Sequence, residues 1–314
     1  LVKQGPQSLV VTLPTTWLKE NNLKKGREVI ITESENKLII AATEEQKLRQ
    51  PYVLNITDCT HYYIIRIVTM AYRLGYDEMQ IHNEKRVVTH LRKNKPVPTK
   101  KFMRDLTRRF IGMEIVSENE ETIMIKCFTA VTPEEAKNVQ RRIFLLLKEF
   151  MEKISSQKSY DPEEEHDRVA KFINYYFRIL HTTATMSNQE KMLLYSLFSV
   201  QDKIADVLRH CSLLLTKIKR PAKETTALLK EIFDFYNELY VFFYDPAKEE
   251  KRKIVQKRYA LVKKVETCKA SPEETKLLFE AKFILEIIND FYECVVGLKT
   301  LQNEENKKES TGIR

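Results

Sequence analysis

Between Gly112 and Gly297 the chain has no glycine, and proline punctuates it instead. Without glycine, a stretch of that length has few places for left-handed backbone or tight turns, so it points to helix. Five of the ten prolines fall in it: Pro133, Pro162, Pro221, Pro246 and Pro272. Each stands just inside a plausible helix start, where its missing N–H is no loss. Thr132, Asp161, Asp245 and Ser271 precede four of them as N-cap residues, and Glu134, Glu163 and Glu273 fit first turns. Ser187-Asn188 supplies a sixth start. Six helices are therefore expected, beginning near 133, 162, 188, 221, 246 and 272. The starts at 162 and 188 recur 84 residues later, and the start at 133 recurs after 88. This is the pattern of a duplicated three-helix unit, about 133–219 and 221–305, packing as consecutive antiparallel bundles. The polar tail from Glu304 to Arg314 is expected to fray.

The same scarcity excludes function classes. No G-x-G-x-x-G and no G-x-x-x-x-G-K-[ST] occurs among the six glycines, so phosphate-cradling loops are not expected. No nucleophile and base stand at a catalytic spacing, and the chain reads as a non-enzyme. His166 and His181 read as surface residues of a helix. His61, His82 and His90 read as too scattered for a metal site. The five cysteines never form C-x-x-C and read as reduced, mostly buried thiols of a cytoplasmic protein. Apolar runs such as Ile143–Leu147 are too short to span a bilayer, and no signal peptide is expected.

The net charge of +9 is unevenly spread. Lys85 to Arg109 carries ten basic groups against Asp105 alone. Such a stretch suits an anionic partner such as nucleic acid, or it is a solvated helix face. Residues 1–50 read as a strand at Ser8–Leu13, a short helix after Pro14, a strand at Glu28–Thr32, a turn at Ser34–Asn36 and a returning strand at Lys37–Ile40. Three short strands bury little alone, so dimerisation is expected. Residues 51–130 read as a small α+β domain in the order βαβαββ. Its second helix, opened by Pro98-Thr99, aligns Lys101, Arg104 and Arg108 on one face.

The run Gln7-Ser8-Leu9-Val10-Val11-Thr12-Leu13-Pro14, then Trp17, then Leu23-Lys24-Lys25-Gly26-Arg27-Glu28-Val29, resembles the AbrB/MazE-type (SpoVT/AbrB-like) DNA-binding domain. The resemblance implies an intertwined, swapped-hairpin β dimer whose basic side chains sit on DNA. By position, Lys3, Lys24, Lys25 and Arg27 are the candidate contacts. Lys101, Arg104 and Arg108 of the middle segment are candidates to extend that footprint.

The third helix of each expected unit carries a carboxylate pair, Asp202/Asp206 and Glu286/Asp290, again 84 residues apart. At 100° per residue both pairs lie opposite their helix's apolar stripe. His210 and Cys294 each stand four residues beyond the second carboxylate. Two readings stand: a divalent cation site (Fe, Zn, Mn or Mg) with His210 as a further ligand, or a solvated acidic face. Residues 131–314 resemble the PhoU family, with two three-helix repeats that each bear an E/D-x-x-x-D metal motif. Asp202, Asp206, Glu286 and Asp290 match it by position, and Asp167 resembles a recurring acidic site. The whole chain resembles archaeal PhoU-type phosphate-uptake regulators.

The expected fold is thus multidomain α+β: head 1–50, middle domain 51–130, and an all-α pair of bundles 131–314. The expected function is dimeric, DNA-binding regulation of phosphate uptake, with the helical part sensing phosphate status. The competing reading is an adaptor that binds a phosphate transporter or signalling protein without using DNA.

Overall fold

The computed structural model describes residues 2–3, 9–34, 37–42, 50–91, 94–129, 132–156, 159–183, 186–245 and 251–310. Expectations at Gln7-Ser8, the turn residues Glu35-Asn36, Pro246 and the tail 311–314 lie outside these residues. The chain divides into two compact units, Leu1–Gln50 and Pro51–Arg314. Residues 51–130 and 131–314, expected as separate domains, therefore belong to one compact unit.

In the first unit, β1 (Val2–Lys3) pairs antiparallel with β2 (Leu9–Val10), Val2 opposite Val10. The strand expected over Ser8–Leu13 is thus only two residues long within the described chain. Pro14 (φ −59°) opens α1 (Thr15–Glu20). Gly26 at φ +88° closes the turn that follows. Next, β3 (Val29–Ser34) and β4 (Lys37–Ala42) form an antiparallel hairpin in register from Val29–Ala42 to Ser34–Lys37. None of the described side chains of this unit is buried; Leu9, Val11, Ile31 and Leu38 are all more than half exposed.

The second unit begins with a four-stranded sheet ordered β5-β6-β10-β9. β5 (Tyr52–Asn55) and β6 (Glu78–His82) are parallel, so α2 (His61–Arg73) crosses between them. Next come a hairpin of β7 (Val87–His90) and β8 (Lys95–Pro98), absent from the expected order, and α3 (Thr99–Thr107). β9 (Met113–Glu118) and β10 (Thr122–Cys127) close the sheet. Alternation decides the faces. Met79, Ile81, Ile123 and Ile125 point into a core shared with Ile64, Val68 and Tyr72 of α2 and Phe102, Met103 and Leu106 of α3. Gly112 (φ +78°) ends the turn after α3. A Cβ there would strike the Thr129 side chain.

Six helices follow: α4 (Pro133–Ser156), α5 (Pro162–Thr182), α6 (Asn188–Leu215), α7 (Lys223–Tyr244), α8 (Lys251–Thr267) and α9 (Pro272–Ser310). Asp161 and Ser187 cap α5 and α6 by accepting from the Glu163 and Glu190 N–H groups. Ser271 and Glu274 form a reciprocal capping box on α9. At α7 the cap differs from expectation. Pro221 precedes the helix, and the Ala222 N–H donates to Glu274 of α9 at 2.6 Å. The α6 and α9 helices pack along each other, and Gly297 makes room; a Cβ there would sit 3.1 Å from Leu193. Phe144 of α4 lies at the centre, its ring 5.2–6.2 Å from Phe198, Tyr236, Tyr240, Phe243, Tyr244 and Phe291. No described helix is long and apolar enough to cross a membrane.

Arg178 of α5 joins the α/β layer to the helices. It is 2% exposed and donates to the carbonyls of Tyr72 (3.0 Å) and Tyr76 (3.1 Å). It also pairs with Asp77 and lies 5.1 Å from the Tyr72 ring centroid. Truncating it leaves two carbonyls without their charged donor. Arg178→Met is expected to lower unfolding stability by about 3 kcal/mol in urea titration. An unchanged midpoint would show that the seam contributes nothing.

Candidate functional site

The head carries its cations on one turn. The Arg27 N–H donates to the Lys24 carbonyl at 3.0 Å, which folds Leu23–Arg27 back on itself. Lys24, Lys25 and Arg27 are all exposed on that turn. Lys3 stands on β1, opposite Leu9 in the pairing.

The basic helix of the middle segment is less open than its sequence suggests. Lys101, Arg104 and Arg108 are exposed, while Phe102, Met103 and Leu106 turn inward, as the spacing predicts. The end of β9 and the turn that follows it supply counter-charges. Glu118 pairs with Arg104, and Glu120 pairs with Lys100 (3.4 Å) and Arg86 (3.1 Å). Arg108 lies 3.7 Å from Asp105. Lys101 has no ion pair among the described residues, so the stripe is weaker as an anion surface than its bare charge implies.

The carboxylate pairs are where the structure departs most from expectation. In α6, Asp202 and Asp206 do lie off the apolar stripe, but that side is covered. Arg73 of α2 reaches Asp202 at 3.9 Å and donates to Asn174 at 2.8 Å. His166 of α5 contacts Asp206 through Nε2 at 3.2 Å and Asp167 through Nδ1 at 3.3 Å. Arg109, at the end of the α3 turn, pairs with Asp167. Lys203 and Arg209 approach Asp206 at 3.7 Å each. Thus His166 is no surface residue; its side chain is 16% exposed.

The second pair is arranged differently. Glu286 takes Arg258 at 2.8 Å and Lys282 at 3.6 Å, and Asp290 is exposed. His210 turns to Glu280 of α9 at 2.9 Å, and Cys294 is buried in the core. Among the described residues no three His, Cys, Asp or Glu side chains are placed to hold a metal ion. The set Asp202, Asp206, Glu286, Asp290 and His210 therefore does not fit a metal centre as arranged. Arginine, lysine and histidine lie against the oxygens of Asp202, Asp206 and Glu286, and Asp290 faces outward. His61 and His90, read as scattered, stack with ring centroids 4.0 Å apart. The His61 ring nitrogen accepts the Leu91 N–H at 3.1 Å, a structural role.

Charge coupling sets the protonation of the seam. Burial pushes the His166 imidazole down, but hydrogen bonds to Asp167 and Asp206 outweigh it and raise its pKa to about 9. Burial likewise opposes ionisation of Asp167, yet His166 and Arg109 hold its carboxyl below the usual range. The hydrogen bond with His166 lowers Asp206. Asp202 moves the other way, since burial outweighs the attraction of Arg73. Sequence reading missed His166, Arg73 and Arg109. A signal existed for His166: it stands three residues before Val169 and seven before Ile173, in phase with the buried stripe of α5.

Residues 2–48 match the family model described as antidote-toxin recognition MazE, bacterial antitoxin. The match spans the head alone, and the head is a MazE/AbrB-like domain. Comparison with curated proteins and with solved structures returns no match.

A histidine raised above its unfolded value stabilises the fold when protonated. That contribution is fully present below pH ~6.5, the unfolded value, and is lost as pH rises through about 9. The upper figure is on the order of 3 kcal/mol. Wild type is expected to lose more urea stability between pH 6 and 9.5 than His166→Gln does. Equal losses would show that His166 is not cationic in the fold. Chelator treatment is expected to leave the melting temperature unchanged.

Proposed function

We propose that this chain is a dimeric, DNA-binding transcriptional regulator of phosphate homeostasis, with the head on DNA and the helical part responding to phosphate status. The MazE/AbrB-like head carries the reading. Its supporting geometry is the exposed turn that presents Lys24, Lys25 and Arg27 together. Three cations on so short a turn neutralise phosphates and orient a protein on a duplex. The exposed apolar side chains Leu9, Val11, Ile31 and Leu38 support a head completed by a second copy. The phosphate half of the reading rests on the PhoU-like plan of two three-helix repeats. No step of it passes through a metal ion.

A second reading, the adaptor for a transporter or signalling protein, draws on one observation. Tyr259, Phe279 and Phe283 of α8 and α9 are about half or more exposed. That is aromatic surface of the kind protein interfaces favour.

In gel shifts, the dimer is expected to bind duplex DNA with an affinity that falls steeply with salt. Replacing Lys24, Lys25 and Arg27 by alanine, which removes both protomers' copies, is expected to weaken binding at least ~tenfold and to flatten the salt slope by up to ~5. No binding at low salt by a folded dimer would remove the DNA reading and favour the adaptor. Genome-wide occupancy at high and low phosphate separates the two halves. DNA occupancy indifferent to phosphate would retain the head's role and overturn the phosphate role.

A further inference from the structure

A cleft of about 380 Å³ opens between α2, α5 and α6. It belongs to neither the basic turn of the head nor the α9 carboxylates. Its floor is apolar. Phe177 is buried, Leu180 lies beside it, and Tyr195 stacks on Phe177 with centroids 4.3 Å apart. Met70, Leu74 and Met192 form a rim and are exposed. Its permanently charged side chains are both basic, and His181 and Asn188 complete the polar lining. Arg73 lies with its guanidinium 4.6 Å from the Phe177 centroid, and Lys191 stands in the first turn of α6. No aspartate or glutamate lines the cleft, although 44 of the 314 residues are acidic.

The positive end of the α6 backbone adds to the same sign, because the helix begins at Asn188 on the cleft wall. An apolar floor, two cations and a volume within the usual range of small-molecule sites define a ligand class. We propose that this cleft binds a small amphipathic anion. Its apolar body lies on Phe177, Leu180 and Met192, and its carboxylate, phosphate or sulfonate meets Arg73 and Lys191. Inorganic phosphate lacks the apolar body and is a poor fit. Occupancy is felt beyond the cleft, since an anion on Arg73 competes with Asp202 for the same guanidinium. The proposal does not rest on the DNA-binding reading.

The test uses the full chain and the fluorescent probe 8-anilinonaphthalene-1-sulfonate, with octanoate, octylammonium and inorganic phosphate as competitors. The probe is expected to saturate, and octanoate is expected to displace it while octylammonium and phosphate do not. Met192→Glu puts a like charge on an exposed rim position and is expected to weaken octanoate at least ~tenfold. Lys191→Met is expected to weaken it ~fivefold. Met192→Glu is expected to melt as wild type does, which separates lost binding from lost folding; Lys191→Met also gives up the bond that Lys191 donates to the Thr183 carbonyl and is expected to melt somewhat lower. Equal displacement by octylammonium and octanoate would reduce the cleft to a plain apolar surface and overturn the proposal. Wild-type octanoate affinity in both variants would place the probe elsewhere and overturn it equally.

Discussion

The α/β layer and the helices are one body because a buried guanidinium is spent on backbone carbonyls. Helix ends leave carbonyls unpaired, and α2 ends inside the molecule. Gly75 at φ +84° bends the chain there, so that Tyr72 and Tyr76 both offer carbonyl oxygens to Arg178. A cation at the negative end of a helix is favourable in its own right. Here it also lies by the Tyr72 ring and pairs with Asp77. Once α2 is fixed on α5, its next residue, Arg73, reaches Asn174 and Asp202 without further adjustment.

That placement decides the chemistry of α6. A pair of aspartates one turn apart repels itself slightly on an isolated helix. In this chain Arg73, His166, Lys203 and Arg209 surround the pair, and Arg109 holds Asp167 behind His166. Taking these charges from water costs free energy that their pairing only partly returns, so the seam specifies a docking geometry more than it adds stability. The equivalent positions on α9 have no α/β layer above them, and there Asp290 stays exposed. The recurrence expected from the sequence is thus a recurrence of helix positions. It is not one of electrostatic environment.

The parts of this fold that were legible rest on local physics. Proline at a first turn and a hydroxyl or carboxylate before it mark α4, α5 and α9 because those residues act on the backbone next to them. The 84-residue offset placed two carboxylate pairs on matching helix faces for the same reason. Helical phase says which side of α6 Asp202 occupies, but not that α2 covers that side. Such coverage is a long-range fact. The β7–β8 hairpin was missed because Pro96 and Pro98 and the surrounding charge conceal a strand pattern. His166 was misread because histidine has no polarity bias strong enough to separate a buried ion pair from a surface side chain. The head was legible through its family pattern, although its individual strands are short.

The two units differ in how they meet the cost of folding. Pro51–Arg314 closes its own core, with Tyr72, Phe144, Phe198, Tyr236 and Phe291 almost fully removed from water. Leu1–Gln50 has no buried side chain among its described residues. Apolar side chains gain roughly 1.5–3 kcal/mol each when fully buried, so Leu9, Val11, Ile31 and Leu38 alone hold substantial unrealised stabilisation. A second copy is the natural source of the missing surface for a MazE/AbrB-like head. Folding of such a head is then linked to association and depends on protein concentration. The large unit does not carry that dependence, so it can remain folded while the head responds to how much of the protein is present.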